Sequence, residues 1–301
     1  MKPYDIVLLT EAKYMNPTEV DWYTKQVLVE DGLVQAALEK KGLTVKKMNW
    51  DAPDFDWAST RAIIFRTPWD YSERFDEFSV WLEQVVTQTH LINSQAQINW
   101  NIDKHYLLDL QKKGIRIPLT KIIDPQSKTS LSDLQKELGW KEMVLKPTVS
   151  AAGRHTYRLT PENIESYESL FQTLIAKEAM MLQPFLYNIT KKGEVAFMLI
   201  DGKYTHAVLK KAKKGDFRVQ DDFGGSVEVY QPSKEEIEFA EKAVAACSEM
   251  PTYARVDMVW DNEDQMALSE IELIEPEMWF RNAPSAADEL AEVIVTKIIK
   301  Q

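Results

Sequence analysis

Hydrophobic and polar positions along the first hundred residues follow two periods in turn. "YDIVLLT" (4–10) and "RAIIFR" (61–66) are short apolar runs bounded by polar residues, the mark of buried strands, and "LTVKKMNW" and "HLINS" read the same way. Between them, "TEVDWYTKQVLVEDGLVQAALEKKG" and "SERFDEFSVWLEQVVTQ" carry apolar residues at helical spacing, the first ending at Gly42. Strands alternating with helices predict right-handed crossovers and a parallel sheet. "QAQINWN" (95–101) reads as a polar connector, and "IDKHYLLDLQKKG" as a helix stopped by Gly114. Further on, the period of two dominates. "EVAFMLI–DG–KYTHAVLKKA" is a hairpin signalled by Asp201-Gly202, and "YARVDMVW–DNED–QMALSEIEL" is a second. The fold class predicted is α/β followed by α+β.

Three stretches carry candidate chemistry. In "MVLKPTVSAAGRHTYRL" a strand ends in Lys146 and opens into a small-residue loop holding Ser150 and Gly153. Alone, this also fits a surface lysine on a sheet edge. In the second hairpin, alternation puts Glu270 and Glu272 on one face and Arg255 and Asp257 on one face of the partner strand. With the turn centred between Glu263 and Asp264, Asp257 stands opposite Glu270. Opposed residues have Cβ atoms about 4.5–5.5 Å apart, and like charges there destabilise. A cation is therefore called for, and an all-oxygen set suits Mg²⁺. A solvated acidic face fits the same pattern. Third, "RTPWDYSE" follows a parallel strand, where open sheets bind ligands. Arg66, Trp69, Asp70 and Tyr71 offer a cation, an anion and two aromatic faces; they also fit a capped helix start with Trp69 packed inward.

Composition narrows the classes. The 301 residues are 45% hydrophobic and 28% charged, an ordinary globular balance with room for more than one packed unit. A net charge of −11 argues against nucleic acid and anionic membrane as partners. The apolar run at the N-terminus is too short for a signal peptide, and the single Cys247 fits a reducing, cytoplasmic setting and a small core residue. There is no G-x-G-x-x-G after the first strand and no GxxxxGK[ST], so neither a dinucleotide fingerprint nor a P-loop is present.

Taken together, Lys146 before its loop, "MLQPFL", Gly193-Glu194 and the spacing R-x-D…E-x-E resemble the ATP-grasp ligases, in the branch of bacterial glutathione synthetase and D-alanine–D-alanine ligase. "RTPWDYSERFDEFSVWL…NWNIDKHYLLDL" is similar to the subgroup of the D-cycloserine-forming cyclo-ligase. The resemblance spans nearly the whole chain. It implies a parallel-sheet N-terminal domain (1–100, Rossmann-like, on the substrate side) and a two-lobed ATP-grasp fold. The lobes are 101–186, with the phosphate-covering loop, and 187–301, with the metal-binding hairpin.

It implies ATP with Mg²⁺, two ions and Mn²⁺ as a substitute. Lys104, on the helix after the connector, and Lys146 would contact phosphates, and Ser150 and Gly153 would belong to a closing hairpin. Gln183, Phe185 and Leu186 would line the adenine slot, Glu194 would hold the ribose, and Lys210 would reach the terminal phosphate. Asp257, Glu270 and Glu272 would bind metal, and Arg255 would stabilise a tetrahedral intermediate. The better-known ligases have Asn where this chain has Glu272, which leaves the number of ions open. The activity implied is an ATP-dependent carboxylate–amine ligase acting on small amino-acid-like molecules through an acyl phosphate. A small-molecule kinase, a ligase acting on a peptide terminus and a non-catalytic nucleotide module are the alternatives. Arg66 and Arg281 are candidates for a clamp on a substrate carboxylate. Relatives form dimers or tetramers, so a homo-oligomer is expected.

Overall fold

A computed structural model describes residues 2–150, 153–213, 215–216, 218–219 and 224–299. The N-terminal sheet is parallel, in the order β2-β1-β3-β4, with strands β1 (Tyr4–Thr10), β2 (Val45–Asn49), β3 (Thr60–Thr67) and β4 (His90–Ile92). Helices α1 (Trp22–Lys40) and α2 (Phe75–Val85) cross between strands as the periodicity predicts, and the Asp21 carboxylate accepts from Thr24 N at 2.7 Å to start α1.

Residues 95–101 are not a connector but a helix, α3 (Gln95–Asn101), opened by a capping box between Ser94 and Gln97. Two of its polar residues, Gln97 and Asn101, misled the pattern because they are buried against backbone. Asn101 Nδ2 donates to Ile271 O and its Oδ1 accepts from Leu273 N, both at 2.7 Å.

After α4 (Tyr106–Lys112) comes a second, antiparallel sheet in the order β5-β8-β6-β7, from β5 (Lys121–Ile123), β6 (Met143–Pro147), β7 (Tyr157–Leu159) and β8 (Met180–Pro184). Helices α5 (Leu131–Leu138) and α6 (Ile164–Ile175) pack on it. The short α7 (Ile189–Lys192) leads into the third sheet, order β11-β10-β9-β12-β13. Its strands are β9 (Glu194–Ile200), β10 (Lys203–Lys211), β11 (Ser226–Tyr230), β12 (Tyr253–Trp260) and β13 (Met266–Glu272), flanked by α8 (Lys234–Ala245) and α9 (Ser285–Ile299). Asp201-Gly202 makes the β9–β10 turn with both residues at positive φ, as the dipeptide predicts.

Every residue of β9 is buried because its two faces serve two cores. Val195, Phe197 and Leu199 join the core under α8, while Ala196, Met198 and Ile200 join one shared with Ile6, Leu8, Ala62 and Ile64 of the N-terminal sheet. That shared core also takes in α1 and α9, so the first and third sheets bury a common apolar interior. Among the described residues no helix is long and apolar enough to cross a membrane.

Candidate active site

The β12–β13 pairing begins at Trp260–Met266, so the turn is centred on Glu263, one half-step from the centre assumed above. A regular ladder would then set Asp257 against Ser269. Instead Met258 pairs with Leu268 and Asp257 with Glu270, leaving Ser269 as the extra residue of a β-bulge. The expected Asp257–Glu270 opposition thus exists, but the bulge creates it.

Three cations offset the crowded carboxylates. Arg255 Nε donates to Asp257 Oδ1 at 3.0 Å and its Nη2 to Oδ2 at 2.8 Å and to Glu272. Lys210 Nζ lies 2.6 Å from Glu194 and 2.9 Å from Asp257, and Lys104 Nζ lies 2.9 Å from Glu270. Lys104 sits in the turn before α4, not in its first helical turn, and also donates to Ser150 O at 2.9 Å. Lys146 lines the same cleft yet is in no ion pair among the described residues. Burial holds its ammonium below the ordinary lysine value, with Lys104 adding to the effect and Glu270 opposing it.

Burial drives Glu272 up to about 8, with Glu270 and Asp257 reinforcing it against Arg255, and Glu275 up to about 7. Burial also works against ionised Asp257, but Arg255 and Lys210 outweigh it and keep that carboxyl below its usual range.

Glu194 directly faces Lys210 across the β9–β10 pair. The ribose contact expected of it therefore competes with an existing ion pair. Gly193 is obligatory here: its φ is +82° and an added Cβ would lie 2.4 Å from Lys210 O.

Among the described residues no group of three or more His, Cys, Asp or Glu is gathered to hold a metal ion. Asp257, Glu270 and Glu272 are each engaged by a lysine or arginine instead of forming a ready cage. The donors nevertheless suit a hard divalent ion. All are carboxylate oxygens, and Glu270 and Asp257 add to the burial that raises Glu272, a repulsion that a cation would relieve.

The cleft, about 660 Å³, runs between the sheets. Its walls include Lys104, Lys146, Ser150, Gly153, Gln183, Phe185, Leu186, Glu194, Lys210 and Arg255, with the three carboxylates, and Trp69, Asp70 and Tyr71 at the N-terminal end. Ala151 and Ala152 of the small-residue loop lie outside the described residues. Arg154 anchors the loop, donating to Val149 O at 2.9 Å and pairing with Glu178. Gln183 Nε2 donates to Thr120 Oγ1, and Phe185 stacks under Arg158 with 3.8 Å from Cζ to the ring centre.

Two candidates fall elsewhere. Arg66, 1% exposed, is buried 3.7 Å from Asp31 and over the Phe280 ring, and Arg281 is tied to Glu30 and Glu277. Neither guanidinium lines the cleft, because each already has a buried carboxylate partner. Trp69 Nε1 donates to Glu275 O at 3.1 Å, and the Asp70 carboxylate accepts from Trp50 Nε1, so this loop is both packed and cleft-lining.

Sequence reasoning missed Glu11, Glu275 and Trp279 on the cleft wall. Glu11, just past the carboxyl end of β1, was findable from its position; the other two lie in a turn that no periodicity marks. Cys247 is half-buried, its thiol pushed up to about 11 by burial, as suits an inert residue.

Residues 103–262, more than half of the chain, match the family described as prokaryotic glutathione synthetase, ATP-grasp domain, and residues 6–93 match the N-terminal domain of D-cycloserine synthetase DcsG. The cycloserine biosynthesis protein DcsG of Streptomyces lavendulae is 27% identical over 277 residues, 85% of this chain and 90% of the relative. A probable alpha-L-glutamate ligase of Vibrio parahaemolyticus is 27% identical over 150 residues, 49% of this chain and 48% of its own. The crystal structure of D-cycloserine synthetase DcsG superposes with a TM-score of 0.85 at 25% identity, covering 97% of this chain and 99% of that one. D-alanine–D-alanine ligase from Bacillus anthracis shares the fold at a TM-score of 0.65 and 17% identity, over 99% and 98%. With this sheet order, cleft and match, the chain belongs to the ATP-grasp family and is an ATP-dependent C–N ligase.

Proposed function

We propose that the protein joins a small, amino-acid-like carboxylic acid to an amine through an acyl phosphate, releasing ADP and phosphate. The observation that carries this is Lys146, an enclosed ammonium in no ion pair among the described residues, beside Lys104 and facing the carboxylates. A half-buried cation lining the cleft, with no counter-ion among the described residues, calls for an anionic ligand, and a triphosphate supplies one.

Lys104, Lys146 and Lys210 would hold the phosphates, and the Ser150–Gly153 loop would cover them. Gln183, Phe185 and Leu186 would take the adenine, and Glu194 the ribose as it lets go of Lys210. Asp257, Glu270 and Glu272 would hold two Mg²⁺ ions, with Mn²⁺ able to replace them; when bound, the metal neutralises phosphate charge. A substrate carboxylate oxygen bonds to the γ-phosphorus as the bond to the β–γ bridging oxygen breaks, and ADP leaves. The amine nitrogen then adds to the acyl carbon, giving a tetrahedral oxyanion, whose collapse breaks the bond to the phosphate oxygen and releases phosphate, while the amine's proton passes to solvent. Arg255 would stabilise the oxyanion formed in that second step. Positioning and charge neutralisation supply most of the rate.

The acid would lie toward Trp69, Asp70 and Tyr71, between an N-terminal unit (1–100) and the two lobes (101–186 and 187–301). Likeness to DcsG over 85% of the chain supports an acid and amine carried by one molecule as a second reading.

Mg-ATP with pooled amino acids and small acids tests the reading. Equal ADP and phosphate should appear only when an acid and an amine are both present, and Glu270→Gln should be silent. ADP without matching phosphate would identify a kinase instead.

A further inference from the structure

Glu30 of α1 is 2% exposed and faces the turn after β13. Its Oε2 accepts from Phe280 N at 2.8 Å, and its Oε1 accepts from Arg281 N at 3.0 Å and Arg281 Nη1 at 2.9 Å. The residue just before, Trp279, is left-handed, φ 44° and ψ 39°, a conformation bulky side chains rarely adopt. On its other side His206 Nε2 donates to Met278 O at 2.8 Å. Both neighbours of Trp279 are therefore clamped by side chains from other elements.

The clamped ring lies against the two cations of the cleft floor, 5.3 Å from Arg255 Cζ and 5.9 Å from Lys210 Nζ, centre to atom. Its Nε1 is buried with no hydrogen-bond partner among the described residues, so what the indole offers the site is its face. A π face orients a cation without neutralising it, whereas Asp257 and Glu194 orient and neutralise together. When ligands draw those carboxylates away, the ring is the contact that leaves Arg255 and Lys210 both charged and aimed.

We propose that Trp279 is a positioning residue for Arg255 and Lys210, and that Glu30, 250 positions before the Phe280 amide it accepts from, acts through it by holding the left-handed turn. This rests on the nucleotide site proposed above, with Lys210 at the terminal phosphate.

Calorimetric binding of Mg-ADP and of Mg-β,γ-imido-ATP to the full chain tests it without turnover. Trp279→Leu should lower affinity for the triphosphate analogue by about tenfold, while ADP affinity changes less than about twofold. Trp279→Phe, which keeps a π face, should retain most of the affinity. Glu30→Gln should show the same selective loss, and Glu30→Gln combined with Trp279→Leu should be no worse than Trp279→Leu alone. Equal losses for both nucleotides, no loss, or additive losses in the double variant would overturn the proposal. Should Glu30→Gln fail to fold, with Arg281 left unpaired, the two Trp279 variants decide the matter alone. If the unsubstituted protein binds neither nucleotide, the nucleotide site itself is wrong and this inference falls with it.

Discussion

At the scale of single residues, the cleft contrasts two kinds of lysine. Lys210 is compensated twice, by Glu194 and Asp257, whereas Lys146 has no ion-pair partner among the described residues. Removing the first kind of charge leaves carboxylates stranded; removing the second relieves a desolvation cost. Lys146→Met should therefore leave the melting temperature unchanged or raise it, while weakening Mg-ATP binding by at least about tenfold, about 1.4 kcal/mol. Calorimetry and thermal denaturation of the same sample check both halves. Asp257→Ala should behave oppositely in stability, costing about 3–5 kcal/mol because Arg255 and Lys210 lose a shared buried partner, as urea unfolding would measure. Lys146, Arg255 and the carboxylates were legible as candidates because each sits at a strand end or on one strand face, and Lys210 through the family resemblance. The pairings of the lysines were not, because ion pairs between segments depend on register and packing. Arg66 and Arg281 show the limit: an arginine in a binding-type loop reads alike whether its partner is a ligand or a buried Asp31 or Glu30.

At the scale of elements, two local devices aim the site. The Ser269 bulge sets Asp257 against Glu270, and Gly193 lets β9 begin against Lys210 O. Gly139, which ends α5 at φ +67° with open space around it, makes a control. Gly139→Ala should cost only about 1 kcal/mol, the left-handed penalty. Gly193→Ala should cost clearly more and also reduce turnover, because its Cβ would displace the strand carrying Lys210. Comparable unfolding curves for the two variants would refute the close-approach argument. Hairpins and amphipathic helices were readable here because alternation and turn dipeptides act over few residues. Helix α3 was not, since its Gln97 and Asn101 bury polar groups whose partners lie on other segments.

At the scale of the molecule, one apolar core runs from the parallel sheet through α1 and α9 to β9, tying the unit that carries Trp69 to the sheet that carries the carboxylates. In the cleft between them burial raises Glu272 to about 8 and Glu275 to about 7, above the ordinary 4.5. Between those limits the folded protein binds more protons than the unfolded chain. Their contribution to stability is thus greatest below the unfolded value and declines as pH rises toward 8. Magnesium needs the deprotonated carboxylates, so Mg²⁺ should raise the melting temperature more at pH 8 than at pH 6. An equal shift at both pH values would count against a metal site built on these groups.

By itself the sequence determined the α/β-then-α+β order, the two hairpins, the lysine before its loop and the acid-bearing strand faces. These depend on periodicity and on turn residues that act within a few positions of themselves. Only the tertiary structure decided which charges meet, that a bulge makes the carboxylate pair, and that Arg66 and Arg281 turn away from the cleft. It also brought Glu30 of the first helix to the turn behind Arg255. The reason is physical: a side chain's alternation is written in its neighbours, but its partner is chosen by register and by which elements share a core.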